Sequence, residues 1–463
     1  QGKKIQTFTH PKGYMGDTTA VAFSLGGKYF ASGGKGIKLW DLATKQEMKT
    51  IGNQRTTAIV FSPDEKYVLT EEYLLRMILW DMESGQVMKE FKKRGLSSLS
   101  ISPDGRYALS GDRNGKIVLW NSLTGNEIKS AKADHGPVFP PMAEVRSVAF
   151  SPDGKYALSG GYDNILKLWD IPALTEVKTF KGHKGFGGIN SVVFSPDGKY
   201  ALSADFNNKM IIWDLASGSQ WRELSGHTGM MGTSAKFSPN GKYVISTGDA
   251  STKIWDVATG DEVASMIDFE DGEWIITTAN GYYSASPKGD QYLSVKVGGK
   301  DYTIEQLRES FYRPDIVKLA LSGGSLKEFK KLADVKQPPV VTIVDTTKIA
   351  NKDEAKITLK IVDIGGGIGD VRLYLNGSAV ILDSARGVKI VPTNKNEVLK
   401  TYNLKLTNGA NTIRAIAFNG DNTMQSNDVL HEITASFKSL TKPSLNAIIV
   451  GINEYKNPKL QLK

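Results

Sequence analysis

VRSVAFSPDGKYALSGGYDNILKLWD, residues 145–170, is the unit from which most of this chain is built. It reads as an alternating apolar strand, a Ser-Pro-Asp-Gly turn, a second strand, a polar turn and a third strand ending in Trp-Asp. Proline presets φ at the first turn position, and glycine supplies the positive φ that closes it. INSVVFSPDGKYALSADFNNKMIIWD, residues 189–214, is a close echo. With four weaker copies, the repeat places Trp40, Trp80, Trp120, Trp169, Trp213 and Trp255 at spacings of 40, 40, 49, 44 and 42 residues. A fourth strand, such as EVKTFKGH from Glu176 to His183, closes each unit. One four-stranded sheet cannot bury both its faces, so successive sheets must stack radially.

The Ser-Pro-Asp-Gly turns, the Trp-Asp ends and the Gly-His pairs at His183 and His227 resemble the WD-repeat β-propeller family over about residues 1–300. KKIQTFTH, Lys3–His10, has the form of a fourth strand without its first three. GEWIITTANGYYSASPKGDQYLSVKV, Gly272–Val297, has the form of three strands without the usual repeat residues. Joined, they complete a degenerate seventh blade and remove exposed sheet edges. Seven blades are therefore expected.

His183, Ser203 and Trp213, or His227, Ser246, Asp249 and Trp255, could be taken for hydrolytic sets. The resemblance implies instead a structural hydrogen-bond relay within a blade. Packing alone explains the tryptophans, since each can bury ~150–250 Å², worth up to ~4–6 kcal/mol. Two connections are candidate binding loops. KADHGPVFPPMAEV, Lys132–Val145, carries Phe139 and Met142 among three prolines, and GHKGFGGIN, Gly182–Asn190, places Phe186 among glycines. Long loops on compact folds often bind partners, although a bland insertion explains the first equally well and a plain connection explains the second slightly better.

Apolar spacing changes to three and four in TIEQLRESF and DIVKLALSGGSLKEFKKLAD, as in helices. With Pro314 at a helix start, residues 301–335 are expected to form a helical brace and linker on the propeller's edge. KQPPVV then opens a new domain, residues 336–438, whose short alternating strands and Asn-Gly turns suggest an immunoglobulin-like β-sandwich. GGGIGDVRLYLNG, Gly365–Gly377, resembles the bacterial versions. Its glycines lack the Gly-Lys-Ser/Thr and helix of a phosphate loop, so a turn is the reading.

Residues 439–463 are read as a linker followed by the first strand of a truncated domain. AIIVGINEY, Ala447–Tyr455, resembles the opening strand and loop of the caspase-like cysteine peptidases, in a domain order found in bacterial members. Leaving Ile448, Ile449, Val450 and Ile452 in water would forfeit about 1.5–3 kcal/mol each. The family's His and Cys lie beyond that strand, and the chain contains no cysteine. Neither catalytic residue can be carried over. Lys463 is a candidate processing site, because some caspase relatives cleave after Lys or Arg; an end set by other means is the alternative.

Composition narrows the rest. Zero cysteines exclude a thiol nucleophile, cysteine-ligated zinc and disulfides. The net charge of +9 is not concentrated: residues 336–438 hold 13 Lys+Arg against 10 Asp+Glu, a net of +3. No basic run is interleaved with aromatics, so nucleic acid is not the expected partner. No apolar run approaches the ~18 residues of a membrane-spanning helix, and no membrane partner is expected. The start at Gln1 fits an exported chain without its signal peptide, or a cytoplasmic protein.

The expected fold is all-β: a seven-bladed propeller plus an immunoglobulin-like sandwich, joined by a short helical segment. The expected function is non-catalytic. The propeller would dock or sense protein partners on one face, the sandwich would act as spacer, and the chain's own caspase-like domain would be a second partner. A stand-alone scaffold is the alternative. A propeller enzyme is disfavoured by five unclustered histidines. No cofactor or metal is expected.

Overall fold

The computed structural model describes residues 20–72, 76–91, 95–133, 144–229, 233–346, 349–350, 352–382 and 396–437. They form two compact units. The first takes in residues up to Leu293 together with Phe311–Ala333; the second takes in Ser294–Ser310 and the residues from Asp334 onward.

The first unit is a succession of six antiparallel sheets. The fourth shows the pattern: Val145–Phe150, Tyr156–Gly161, Ile165–Asp170 and Thr175–Lys181 pair in sequence order. The first two sheets share one long strand, Gln46–Phe61, whose early residues pair with Tyr29–Asp41 and whose later ones pair with Tyr67–Glu72. Between consecutive sheets lie five apolar cores, and each includes the tryptophan of the later sheet. The Ser-Pro-Asp-Gly turns are held from within. Ser151 Oγ donates to Asp153 Oδ1 at 2.6 Å and accepts from the Tyr156 amide at 2.9 Å.

Each of these sheets carries a bulge where its outer strand passes the tryptophan. Leu168 pairs with Lys178 and Trp169 with Glu176, which leaves Val177 as the extra residue. Met48, Met88, Ile128, Trp221 and Val263 occupy the same position in the other five. A bulge re-aims side chains, and in the first, fourth and fifth sheets the cation that follows reaches the next sheet. Lys49 Nζ donates to Glu83 O at 2.5 Å, and Lys178 Nζ donates to Leu215 O and Ala216 O at 3.0 and 2.8 Å. Nη2 of Arg222 donates to Ala258 O at 3.1 Å.

The seventh blade expected from Gly272–Val297 is not formed by those residues. Trp274–Thr278 pairs with the outer strand of the sixth sheet, Glu262–Asp268, and Tyr283–Ala285 adds beyond it. The cause is local. Gly272, at φ +87°, donates its amide to Phe269 O, and the Phe269 amide donates to Glu273 O. This tight turn returns the chain onto the strand it has just left. Ser294–Val297 pairs with Lys300–Thr303 in the second unit instead. Lys3–His10, the expected closing strand, lies outside the described residues.

The expected brace over 301–335 is also divided. Ser294–Ser310 belongs to the second unit, where Glu309 pairs with Arg372 at 2.6 and 2.9 Å. Phe311–Ala333 belongs to the first. There Phe311 stacks on Tyr282 at 5.1 Å, and Val317 joins Ala264 and Ile276 in a small core. The second helix, Pro314–Leu321, ends at Ser322 rather than running to Asp334, because Gly323 adopts φ +84°. No helix of the described residues is long and apolar enough to cross a membrane.

The second unit is a two-sheet sandwich. Val340–Thr346, Glu354–Val362 and Glu397–Lys405 form one sheet; Ile349–Ala350, Val429–Ala435, Gly409–Ala417, Val371–Leu375 and Ser378–Leu382 form the other. Their inward residues, among them Ile357, Leu359, Leu373 and Ile413, share one core. The alternation along Glu354–Val362 follows the period of two expected of a half-buried strand.

Candidate protein-docking site

Every repeat tryptophan donates its indole N–H to a hydroxyl on the neighbouring strand. The acceptors of Trp40, Trp80, Trp120, Trp169, Trp213 and Trp255 are Ser32, Thr70, Ser110, Ser159, Ser203 and Ser246, at 2.7–3.0 Å. In the fifth and sixth sheets the relay continues. His183 Nε2 lies 2.6 Å from Ser203 Oγ and its Nδ1 lies 2.8 Å from Asp205; His227 lies 2.8 Å from Ser246 and 2.6 Å from Asp249. An indole can only donate, so each serine donates its own O–H to Nε2, and Nδ1–H donates to the aspartate. Ser203 and Ser246 are fully buried. A substrate has no access to them.

Asp249 is held at about 2. Partial burial works against that, but hydrogen bonds from the Thr228 amide, His227 and Ser251 outweigh it. Among the described residues no group of three or more His, Cys, Asp or Glu side chains is arranged to hold a metal ion.

The residues suited to docking lie at the start of the inner strands. There a second column of bulges leaves Thr57, Ser97, Arg146 and Asn190 as extra residues in sheets two to five. Arg146 is the cation in that column. Its Nη1 donates to Asn190 Oδ1 at 2.7 Å and to Gly187 O at 2.6 Å, and its Nε lies 3.4 Å from Glu144. The guanidinium also covers the Tyr162 ring at 4.8 Å. Phe186 stands edge-on to that ring at 6.0 Å with 72% of its surface exposed.

The loop beneath Phe186 is pinned from both sides. Asn164 Nδ2 donates to Gly185 O at 2.8 Å, and Asn207 Nδ2 donates to Phe186 O at 2.9 Å. Gly188, at φ +75°, passes so close to Gly161 O that a Cβ would lie 2.5 Å away. Phe186 is thus an exposed aromatic on an ordered base, the kind of side chain that dominates binding energy at interfaces. At ~150–250 Å² per aromatic and ~25 cal/mol/Å², covering its exposed part is worth about 3 kcal/mol.

Of the residues singled out in the sequence, Phe186 lies in this cluster. Phe139, Met142 and Lys463 lie outside the described residues. Sequence reasoning missed Arg146 and Tyr162. The signal for Arg146 was its position, where the neighbouring repeats carry Thr57, Ser97 and Asn190.

Five segments of the chain, residues 2–41, 85–121, 139–170, 174–214 and 218–256, match the model of the WD domain, G-beta repeat. The first takes in Lys3–His10. Tyr67–Glu72 and Arg76–Asp81 of the second sheet fall between matched segments, yet Trp80 donates to Thr70 as its counterparts do. No curated protein matches the chain. The repeats and their successive sheets fit a WD-repeat β-propeller. Such repeats imply a protein-interaction scaffold.

Proposed function

We propose that this chain is the recognition region of a caspase-like peptidase, that its propeller docks protein partners through the face carrying Phe186, and that its sandwich is an immunoglobulin-like spacer. The exposed Phe186 on its pinned loop carries the docking reading. The spacer reading is supported by the way the first strand of the sandwich is split. Val340–Thr346 pairs antiparallel with Glu354–Val362 in one sheet, and Ile349–Ala350 pairs parallel with Val429–Ala435 in the other. The peptidase reading rests on the resemblance of Ala447–Tyr455.

Affinity capture from native extract with the wild-type chain and with Phe186→Asp tests the docking face. A protein retained by the first and lost by the second supports it; identical captures overturn it. The reading frame beyond Lys463 tests the peptidase part. A histidine and then a cysteine within roughly 200 residues, the span of one domain, support it, and their absence overturns it.

A further inference from the structure

One position of the inner strand is small or apolar in the first five sheets, where Ala22, Val60, Ser100, Ala149 and Val193 occupy it. Each lies opposite an apolar residue of the next strand, as Ala149 does Leu158. The sixth sheet breaks the series, because Lys236 stands there opposite Ile245. Directly opposed residues of an antiparallel pair share a face of the sheet. The register therefore sets Ile245 and then Ile254 in line with the lysine, with Ser234 and Thr247 one pair along. None of these four side chains carries a charge.

The ammonium is unanswered as well. Among the described residues it has no hydrogen-bond or ion-pair partner, and burial is the sole cause that pushes its pKa down from the usual 10.5. Yet solvent reaches the site. Lys236 keeps an exposed surface, and Ile245 is 44% exposed where Leu109, Leu158 and Leu202 are buried. The protein thus takes enough water from the amine to disfavour its charge, and leaves it open to a small molecule. A desolvated lysine in apolar surroundings is the kind of amine that attacks carbonyl carbon near neutral pH.

We propose that Lys236 captures short aliphatic aldehydes as an imine, with their alkyl tail laid over Ile245 and Ile254. The ammonium first gives a proton to water. The amine nitrogen then bonds to the carbonyl carbon while the C=O π pair moves to oxygen, which takes up a proton. The carbinolamine so formed loses water and leaves a C=N bond. Amine and aldehyde become imine and water, and nothing is oxidised or reduced. The site does not involve the Phe186 surface and stands or falls without it.

The test is incubation of the full chain near pH 7 with limiting hexanal and sodium cyanoborohydride, which reduces each imine to a stable secondary amine. Peptide mass spectrometry then maps the adducts. Lys236 should be modified about tenfold faster than Lys129, an exposed lysine on the outer strand of the third sheet. The ratio should be larger for hexanal than for acetaldehyde, which has no tail to lay on the isoleucines. Ile245→Asp sets a carboxylate opposite the amine and favours its charged form. It should slow modification of Lys236 by about tenfold and leave Lys129 unchanged. Ser234→Asp, at an exposed position on the same face, is the second variant should the first fold poorly, and it should slow Lys236 as well. Equal modification of Lys236 and Lys129, the same ratio for both aldehydes, or undiminished modification in the folded aspartate variants would overturn the proposal.

Discussion

The imidazole of His227 donates to the Asp249 carboxylate at 2.6 Å, and the Thr228 amide donates to the other oxygen at 2.9 Å. A carboxylate so placed binds its proton more weakly in the folded chain than in the unfolded one.

That difference has a defined pH window. Asp249 sits at about 2 when folded, against an ordinary value of 3.8. Between those values the unfolded chain binds more protons, so its contribution is present above about pH 4 and is lost as pH falls toward 2. Allowing for solvent screening, it is worth roughly 1–2 kcal/mol. Urea melts at pH 5 and pH 2.5 should show Asp249→Asn losing that much less stability than the wild type across the interval. Equal losses would count against the relay.

Ser203 is the shared atom of its relay. Ser203→Ala leaves the Trp213 indole and His183 Nε2 buried without partners, at a cost of about 1–3 kcal/mol. The expected readout is a lower urea midpoint with an unchanged slope.

The outer-strand cations make neighbouring sheets interdependent. A Cβ on Gly85 (φ +73°) would lie 2.7 Å from Lys49 Cδ, whereas one on Gly27 (φ +68°) meets nothing within 4 Å. Both alanine substitutions incur the left-handed penalty of about 1 kcal/mol. Gly85→Ala should be worse by about 1 kcal/mol more, from the clash, and that excess should vanish in a Lys49→Ala background. A double-mutant cycle of urea melts measures it.

In the sandwich, Glu309 is held below the usual carboxylate range by its hydrogen bonds to Arg372, with its side chain 57% exposed. Glu309→Gln should therefore cost under about 1 kcal/mol near neutral pH. Its effect should shrink as pH falls below the glutamate range, because the ion pair is lost there in the wild type too. Arg372→Met should cost more, since the guanidinium also covers the Phe418 ring at 4.3 Å. Thermal melts of both variants at pH 7 and pH 3.5 check the order and the sign.

Residues 145–170 and their echoes made the repeat, its turns and its tryptophans legible, because these are local matters. A Pro-Asp-Gly turn needs only its own four residues, and a period-two strand declares which side chains go inward. The hydroxyl partners of the tryptophans recur at fixed places in each unit, whereas His183 and His227 were placed in a relay by the family resemblance, and Asp205 was not foreseen.

What the sequence alone could not decide was pairing. Trp274–Thr278 reads as a strand under any hypothesis, and whether it begins a seventh sheet or extends the sixth depends on one turn at Gly272 and on the free edge of Glu262–Asp268. The bulges are likewise invisible in composition. Each leaves one residue of a strand unpaired, beside Trp169 and its counterparts or at the start of an inner strand, and so aims Val177, Lys178 and Arg146. The sequence determined that this chain is a stack of similar sheets followed by a sandwich. Only the tertiary structure decided that Phe186 stands on Tyr162 and that Trp221 covers Tyr200 where Val177 leaves Tyr156 exposed, because both depend on side chains about 20 residues apart that strand pairing brings together.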